Sequence, residues 1–381
     1  MAKKGAGGTL SIKPNSRVLV GMTGGLASTV AAFLLKGQGF KVLGLGIQFF
    51  PQSDKAKDEQ ILGDFCHVKA LEDAKSVCDA LDIPFYAVDA QSEFQARILD
   101  QVATSRLEGR FFSTCMECHK IKFRLLQEKA KKLDCQFIAT GHFAKIYHGT
   151  TNEAVQIHSS KDEENDQSHL LAKVDPKNVK NLILPLGDLK KEELMEVADR
   201  YQLKYLKRSK RTESCFFSGE KISHYIENRA HPSLSKSVSF FDGEEQRPLG
   251  SSEQGIHCFF IGQQGVQPSD KGHRINASFV VTEICLESRR VILGERKKLE
   301  KRRIKVERLR FDESFDRTKP RSLYVRFEEG PGYKCTLFFK NNDTALLELS
   351  ESIYNKGKGH VAVFYNSLSK KARILGRGTV E

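Results

Sequence analysis

The chain has 381 residues, 39% of them hydrophobic and 29% charged. This composition supports a packed core and excludes wholesale disorder, and the length fits two or three domains of roughly 100–200 residues. Lys plus Arg number 61 against 48 Asp plus Glu, a net charge of +13, and an excess of that sign points to a polyanionic partner where it clusters.

The N-terminal segment 1–15 opens MAKKGAGG and is expected to be flexible. It is basic but has no apolar h-region, and Arg is scarce, so neither a secretory signal nor a mitochondrial leader is expected. No apolar run reaches the about 20 residues of a membrane helix, and no membrane association is expected. Arg17 to Val20 predicts a buried strand running into Gly21, followed by a helix over Ala27–Leu35 and a strand over Lys41–Phe49. Ala70, Leu71, Ala74, Val77, Cys78 and Leu81 recur at helical spacing over 68–82. Pro84–Val88 predicts a strand, a long helical stretch follows from Glu93, and a further helix covers Ile121–Leu133. Gln136–Thr140 predicts a strand ending at Gly141. Residues 159–168 (SSKDEENDQS) read as a polar, mobile loop, and Lys190–Tyr201 as a helix.

Strands alternating with longer helices predict an α/β domain with a parallel sheet, whose ligands bind at the carboxyl ends of the strands. Beyond residue 210 short β runs dominate: Ser237–Phe241, His257–Ile261, Ser278–Cys285, Ile304–Phe311, Leu323–Phe327, Cys335–Phe339, Ala345–Leu349 and Val361–Tyr365. These predict two small, mostly β domains. Basic residues cluster twice. Lys298 to Arg310 holds seven basic and two acidic residues, and Lys204, Lys207, Arg208, Lys210 and Arg211 form a second group.

Two features carry chemistry. Val18 to Thr29 reads strand, glycine turn, helix start. Gly24 and Gly25 let backbone amides face an anion, with Thr23, Ser28 and Thr29 adding hydroxyls at a helix N-terminus. The spacing matches neither a Walker A loop nor a GxGxxG fingerprint, so a structural turn and a phosphate loop both remain open. Cys115 and Cys118 form a CxxC at a helix start, where thiol pKa falls. A zinc half-site, a redox dithiol and a cluster or sulfur-transfer site all fit, beside the plainer reading of two buried thiols. Cys215 follows the second basic group. The other six of the nine cysteines, at 66, 78, 135, 258, 285 and 335, lie in or near apolar runs and read as core. Without a secretory signal, free thiols in a cytoplasmic protein are expected.

Taken in order, the glycine loop, DAKSVCDALDIPFYAVD, CMECHKIKF, ATGHFAKI, NDQSHLL, ILPLGDLKKEEL, ESCFFSGE, IHCFFIGQQG and VAVFYN…ILGRG resemble the tRNA-specific 2-thiouridylases (MnmA/TrmU family) of the PP-loop ATP pyrophosphatase superfamily. The resemblance runs from about residue 16 to 381. It implies a PP-loop nucleotide-binding domain at 16–211, a central β-rich domain at 212–290 and a β-barrel-like tRNA-binding domain at 291–381. It implies a sulfurtransferase that adenylates C2 of the wobble uridine with ATP and Mg²⁺ and then replaces AMP by sulfur. The partners implied are tRNA and a sulfur donor protein, a cysteine desulfurase or sulfur relay, with the chain itself a monomer.

Carried over residue by residue, the resemblance places the nucleotide at Gly21, Met22, Thr23, Gly24, Gly25, Ser28, Ile47 and Gly141. Cys118 matches the catalytic cysteine and Cys215 the persulfide-carrying one. With Cys115 they form a three-thiolate set suited to a [4Fe–4S] cluster with one open iron. Ser113, Thr114, His142, Asn165, Asp166, Gln167, Arg326 and Phe327 match positions that contact tRNA. The sequence departs from the family at the active site. Thr23 and Ala27 replace the Ser and the Asp of Ser-Gly-Gly-x-Asp-Ser. Ile47 replaces Met, and Gln48-Phe49-Phe50 replaces Lys-Asn-Trp. Ser113-Thr114 replaces Asn-Pro, and Asn165 replaces Lys. Gly262-Gln-Gln-Gly265 lacks two basic residues. Ala27 opens an alternative: a tRNA-binding or sulfur-relay protein that no longer adenylates.

Overall fold

A computed structural model describes residues 13, 15–49, 68–148, 155–205, 237–244, 246–269, 275–312, 315–328, 330–354 and 357–381. Nearly all of segment 1–15, Phe50, Cys66, Cys215 and the basic residues at 207–211 lie outside this set.

The N-terminal sheet is parallel and runs β3-β2-β1-β4-β7, with β1 (Arg17–Gly21), β2 (Lys41–Gln48), β3 (Phe85–Asp89), β4 (Phe137–Ala139) and β7 (Leu182–Ile183), while β5 (Ala144–Tyr147) and β6 (Gln156–Ser159) form a separate antiparallel pair. Val18, Leu19 and Val20 are fully buried, because β1 is central and covered on both faces, which is why it reads as an unbroken apolar run. Helices α1 (Leu26–Gly37), α2 (Val68–Ala80), α3 (Gln91–Phe94), α4 (Asp100–Leu107), α5 (Thr114–Lys132) and α6 (Lys191–Arg200) surround it. A π-helical turn, Gln95–Leu99, joins α3 to α4. Strand order reverses between β1 and β4, so a crevice opens at their carboxyl ends. The predicted helix at Ile121–Leu133 starts earlier, at Thr114, which puts Cys115 and Cys118 in the first two turns of α5.

The second half is β, as expected. β8 (Val238–Asp242), β9 (Pro248–Ser252), β10 (Phe279–Cys285) and β11 (Arg290–Glu295) form a sheet of order β10-β11-β8-β9. β11 crosses the 290/291 boundary drawn from sequence and belongs with the central sheet. The expected strand at His257–Ile261 is instead a 3₁₀ turn, Ile256–Cys258, leading into extended chain. Phe259 is buried there against Phe240 and Val281, so its apolar character reflects burial and not strand pairing.

The barrel closes in the order β12-β15-β14-β13-β16-β17, with β12 (Glu300–Phe311), β13 (Arg321–Phe327), β14 (Gly332–Phe339), β15 (Ala345–Tyr354), β16 (Val361–Tyr365) and β17 (Ile374–Val380). Alternate residues point inward: Leu323, Val325 and Phe327 on β13, and Ala345, Leu347 and Leu349 on β15. Every residue of β16 is buried. Its Ala362 and Phe364 fill the barrel, while Val361, Val363 and Tyr365 pack outward against Met116 of α5 and Leu170. The barrel therefore docks on the helix that carries the CxxC. Among the described residues no helix is long and apolar enough to cross a membrane.

Candidate functional site

The crevice contains a cavity of about 780 Å³, within the roughly 300–1,000 Å³ typical of small-molecule sites. Its walls come from the β1–α1 loop, α5, the end of β4, the 163–167 loop, α6 and the barrel.

The β1–α1 loop is closed by its own hydroxyls. Ser28 Oγ accepts from the Thr23 amide at 3.2 Å and donates to the Gly25 carbonyl at 3.1 Å. Thr29 Oγ1 donates to the same carbonyl at 3.0 Å. The N-cap of α1 is Gly25, which offers no side chain, and the first turn has no acidic residue. The helix therefore presents uncapped amides and the positive end of its dipole to the crevice. Gly21, Met22, Thr23, Ala27, Ser28 and Ile47 line the cavity. Gly24, at φ +73°, instead packs against α2, where a Cβ would meet the Asp73 and Ala74 backbone at 3.1 Å. Gly141 closes the other side. A Cβ on it would lie 2.6 Å from the Ala27 carbonyl carbon and 2.8 Å from the Ser28 nitrogen. Only glycine lets β4 come this close to the start of α1.

Cys115 and Cys118 line the same cavity, Cys118 only 1% exposed. His119 Nδ1 bonds the Cys115 carbonyl at 2.6 Å. Its ring meets that of His142 edge-on, with centroids 4.8 Å apart, and His142 Nδ1 bonds Thr140 Oγ1 at 2.8 Å. Lys122, one turn beyond Cys118, lines the cavity too and lies 5.7 Å from the Phe49 ring centroid. Among the described residues no group of three or more His, Cys, Asp or Glu is placed to hold a metal. Cys215 lies outside those residues.

The 159–168 segment, expected to be mobile, is a built loop. Ser160, Asp162 and Ser168 are buried. Asp162 accepts from the Asn165 amide (3.1 Å) and Nδ2 (2.9 Å) and from the Lys191 amide at the start of α6 (2.9 Å). Gln167 Oε1 accepts from the Phe143 amide at 3.1 Å, beside His142. Asn165, Asp166 and Gln167 reach the cavity, as do Arg326 and Glu328 from the barrel.

Other expected residues lie elsewhere. Phe327 is 2% exposed and fills the barrel core, because its register on β13 points it inward. Its side chain faces the barrel interior and not the cavity. Ser113 is 4% exposed at the N-cap of α5, and neither it nor Thr114 lines the cavity. Residues that the sequence reading passed over also line it: His119, Lys122, Lys191 and Glu328. Helical spacing marks the first two, since each lies four residues beyond a cysteine: His119 from Cys115 and Lys122 from Cys118. Nothing local marks Glu328.

Similarity to known proteins agrees with this arrangement. The family model described as "tRNA methyl transferase HUP domain" matches residues 16–219. The chain is 31% identical over 369 residues to the protein named tRNA-specific 2-thiouridylase MnmA of Clostridium botulinum (strain Eklund 17B / Type B), covering 96% of this chain and 98% of the relative. It is 29% identical over 369 residues to the protein of the same name in Clostridium beijerinckii, with the same 96% and 98% coverage. With a HUP domain matched over half its length and relatives aligned end to end, the chain belongs to the tRNA-specific 2-thiouridylase (MnmA) family.

Proposed function

We propose that this chain is a tRNA-modifying sulfurtransferase that replaces the C2 oxygen of the wobble uridine with sulfur, using ATP. One observation carries the reading: the uncapped start of α1 and the Cys118 thiol face one cavity. ATP fits as substrate, because the α1 amides and the Gly141 approach form a cradle for phosphates. The uridine oxygen attacks the α-phosphorus and pyrophosphate leaves. The terminal sulfur of a persulfide on Cys215 then bonds C2 and displaces AMP, and the Cys118 thiolate attacks Cys215 Sγ, which releases the thiolated uridine and leaves a Cys118–Cys215 disulfide for an external thiol to reduce. A sulfur donor protein loads the persulfide. His142, Asn165 and Gln167 face the incoming base, and the basic outer face of β12, with Lys301, Arg302, Arg303 and Lys305, faces the tRNA backbone.

The residues at the start of α1 do not fit a metal held there, since Ala27 brings a methyl where a carboxylate would ligate. No step here runs through Mg²⁺. A [4Fe–4S] cluster would use Cys115 and Cys118 with Cys215, its thiolates leaving one iron open for sulfide. Ala27 also supports a second reading, in which the protein binds tRNA and relays sulfur without adenylating.

Mass spectrometry of tRNA nucleosides decides between them, in a deletion strain complemented with wild type, Cys118→Ala or Ala27→Asp. Under the enzyme reading, 2-thiouridine returns with wild type and is lost with Cys118→Ala. 2-Thiouridine restored by a wild-type protein that releases no pyrophosphate from ATP and tRNA in vitro, where Ala27→Asp does release it, identifies the non-adenylating relay protein. A profile unaffected by deletion sinks both thiolation schemes.

A further inference from the structure

We propose that Arg326 is a positioning residue: it locks the barrel onto the 160–168 loop and so fixes the cavity wall beside the CxxC. This goes beyond the thiolation reading and is the alternative to the tRNA contact that the resemblance implies for Arg326.

The side chain is already engaged. Arg326 Nη1 lies 2.6 Å from Asp166 Oδ2, with the two side chains 15% and 2% exposed. Asp166 Oδ1 also accepts from the Ser160 amide at 3.0 Å and the Ser168 amide at 3.2 Å. Its Oδ2 accepts from Ser168 Oγ at 2.9 Å. Four donors match the acceptor capacity of a carboxylate. Ser168 Oγ has spent its one hydrogen on Asp166, so in its 3.0 Å contact with Tyr365 the phenol must donate. Burial, with Asp166 nearby, pushes the Tyr365 phenol well above its ordinary pKa, which keeps that proton in place. The Arg326 guanidinium also lies 5.1 Å from the Tyr365 ring centroid.

The lock reaches the chemistry from two sides. Tyr365, Val361 and Val363 pack on Met116, one of the two residues between the cysteines, and Cys115 packs against the same cluster. On the other side, Gln167 exchanges two bonds with the Phe143 backbone, next to His142. Removing the ion pair frees the loop on one side and the seat of the CxxC on the other. A guanidinium held by a buried carboxylate is a strut, and a phosphate would have to break it.

The test uses the full chain with Arg326→Met and the isosteric Asp166→Asn, which keeps the proposal open to test if the first fails to fold. Three quantities are read: thiolation kcat and KM, the salt dependence of tRNA binding, and the rate of Cys115 alkylation by iodoacetamide. The strut predicts that both variants lower kcat by roughly 10–100-fold, the scale of an ångström-sized misplacement, while KM stays within about twofold. It predicts an unchanged slope of log Kobs against log[salt], and faster Cys115 alkylation in both. A phosphate contact predicts the reverse: Arg326→Met flattens the slope by about 0.9, and Asp166→Asn leaves kcat intact. Either result, or unaltered alkylation, overturns the strut. The alkylation arm needs no tRNA, so failure of the thiolation reading and failure of the strut are distinguishable.

Discussion

The barrel buries Leu337, Leu347, Val325 and Phe364 in a dry interior and pairs its backbone through antiparallel ladders between all neighbouring strands. The cavity wall at 160–168 buries Ser160, Asp162 and Ser168 instead, and holds them with side-chain acceptors aimed at backbone amides. In the barrel, stability resides in apolar volume, so surface polarity is free to vary. In the loop it resides in a hydrogen-bond inventory, where losing one acceptor strands several buried donors. The first arrangement makes a robust platform. The second makes a wall whose shape depends on single residues far apart in sequence.

The contrast breaks most visibly in the barrel core. Leu347 is fully buried, and Leu347→Ala should cost about 2–5 kcal/mol, lost transfer energy plus the cavity left behind. Urea unfolding checks it. Because β16 seats the barrel on α5, the same change should also raise Cys115 reactivity toward alkylation. A midpoint shift with unchanged Cys115 reactivity would show that the barrel and the site are energetically separate.

A smaller effect is expected at the mouth of the crevice. Gly141→Ala puts a Cβ against the Ala27 and Ser28 backbone, and overpacking of this kind costs about 1–3 kcal/mol. Since the displaced atoms are the start of α1, ATP affinity measured by calorimetry should fall more than stability does. Equal affinity in wild type and variant would remove the α1 amides from the nucleotide cradle.

The uneven legibility of the sequence follows from the same contrast. β1 and β13 could be read because burial on two faces or on one imposes a pattern on the sequence itself. That alternation also settles Phe327: with Leu323 and Val325 inward on β13, Phe327 must follow them. β17 was missed because Gly376 and Gly378 read as turn. In the barrel they are the positions where Phe311 and Leu309 press against the strand, leaving no room for a Cβ. The 159–168 loop was misread because SSKDEENDQS has the composition of solvated chain. Glu163 and Glu164 are exposed, but Asp162 and Asp166 are covered by partners that composition does not reveal, such as Arg326, 160 residues from Asp166. The glycine loop, Cys115, Cys118 and His142 were legible as motifs. Glu328 was not, since the barrel brings it to the cavity only through the fold.

The smallest effect sharpens the comparison at the seam itself. Glu117 lies between Cys115 and Cys118 in sequence, and takes a 2.8 Å bond from Lys173 and a 2.7 Å bond from Lys120. Burial pushes its carboxyl up, but the two lysines, Lys173 foremost, outweigh it and hold the pKa below the ordinary value. A carboxyl depressed on folding contributes stability that is fully present above its unfolded pKa of about 4.3 and fades as pH falls through the folded value. Lys173→Met removes the stronger of the two attractions and leaves burial to act, so the folded pKa rises. Lys173→Met should therefore cost stability most at neutral pH, and the gap from wild type should close as pH falls through the carboxylate range. Thermal melts across the carboxylate range, about pH 3 to 6, read the shift directly. A gap that stays constant from neutral pH down to about pH 3 would mean that Glu117 titrates independently of Lys173, and that the start of α5 is held by the apolar seat of Met116 alone.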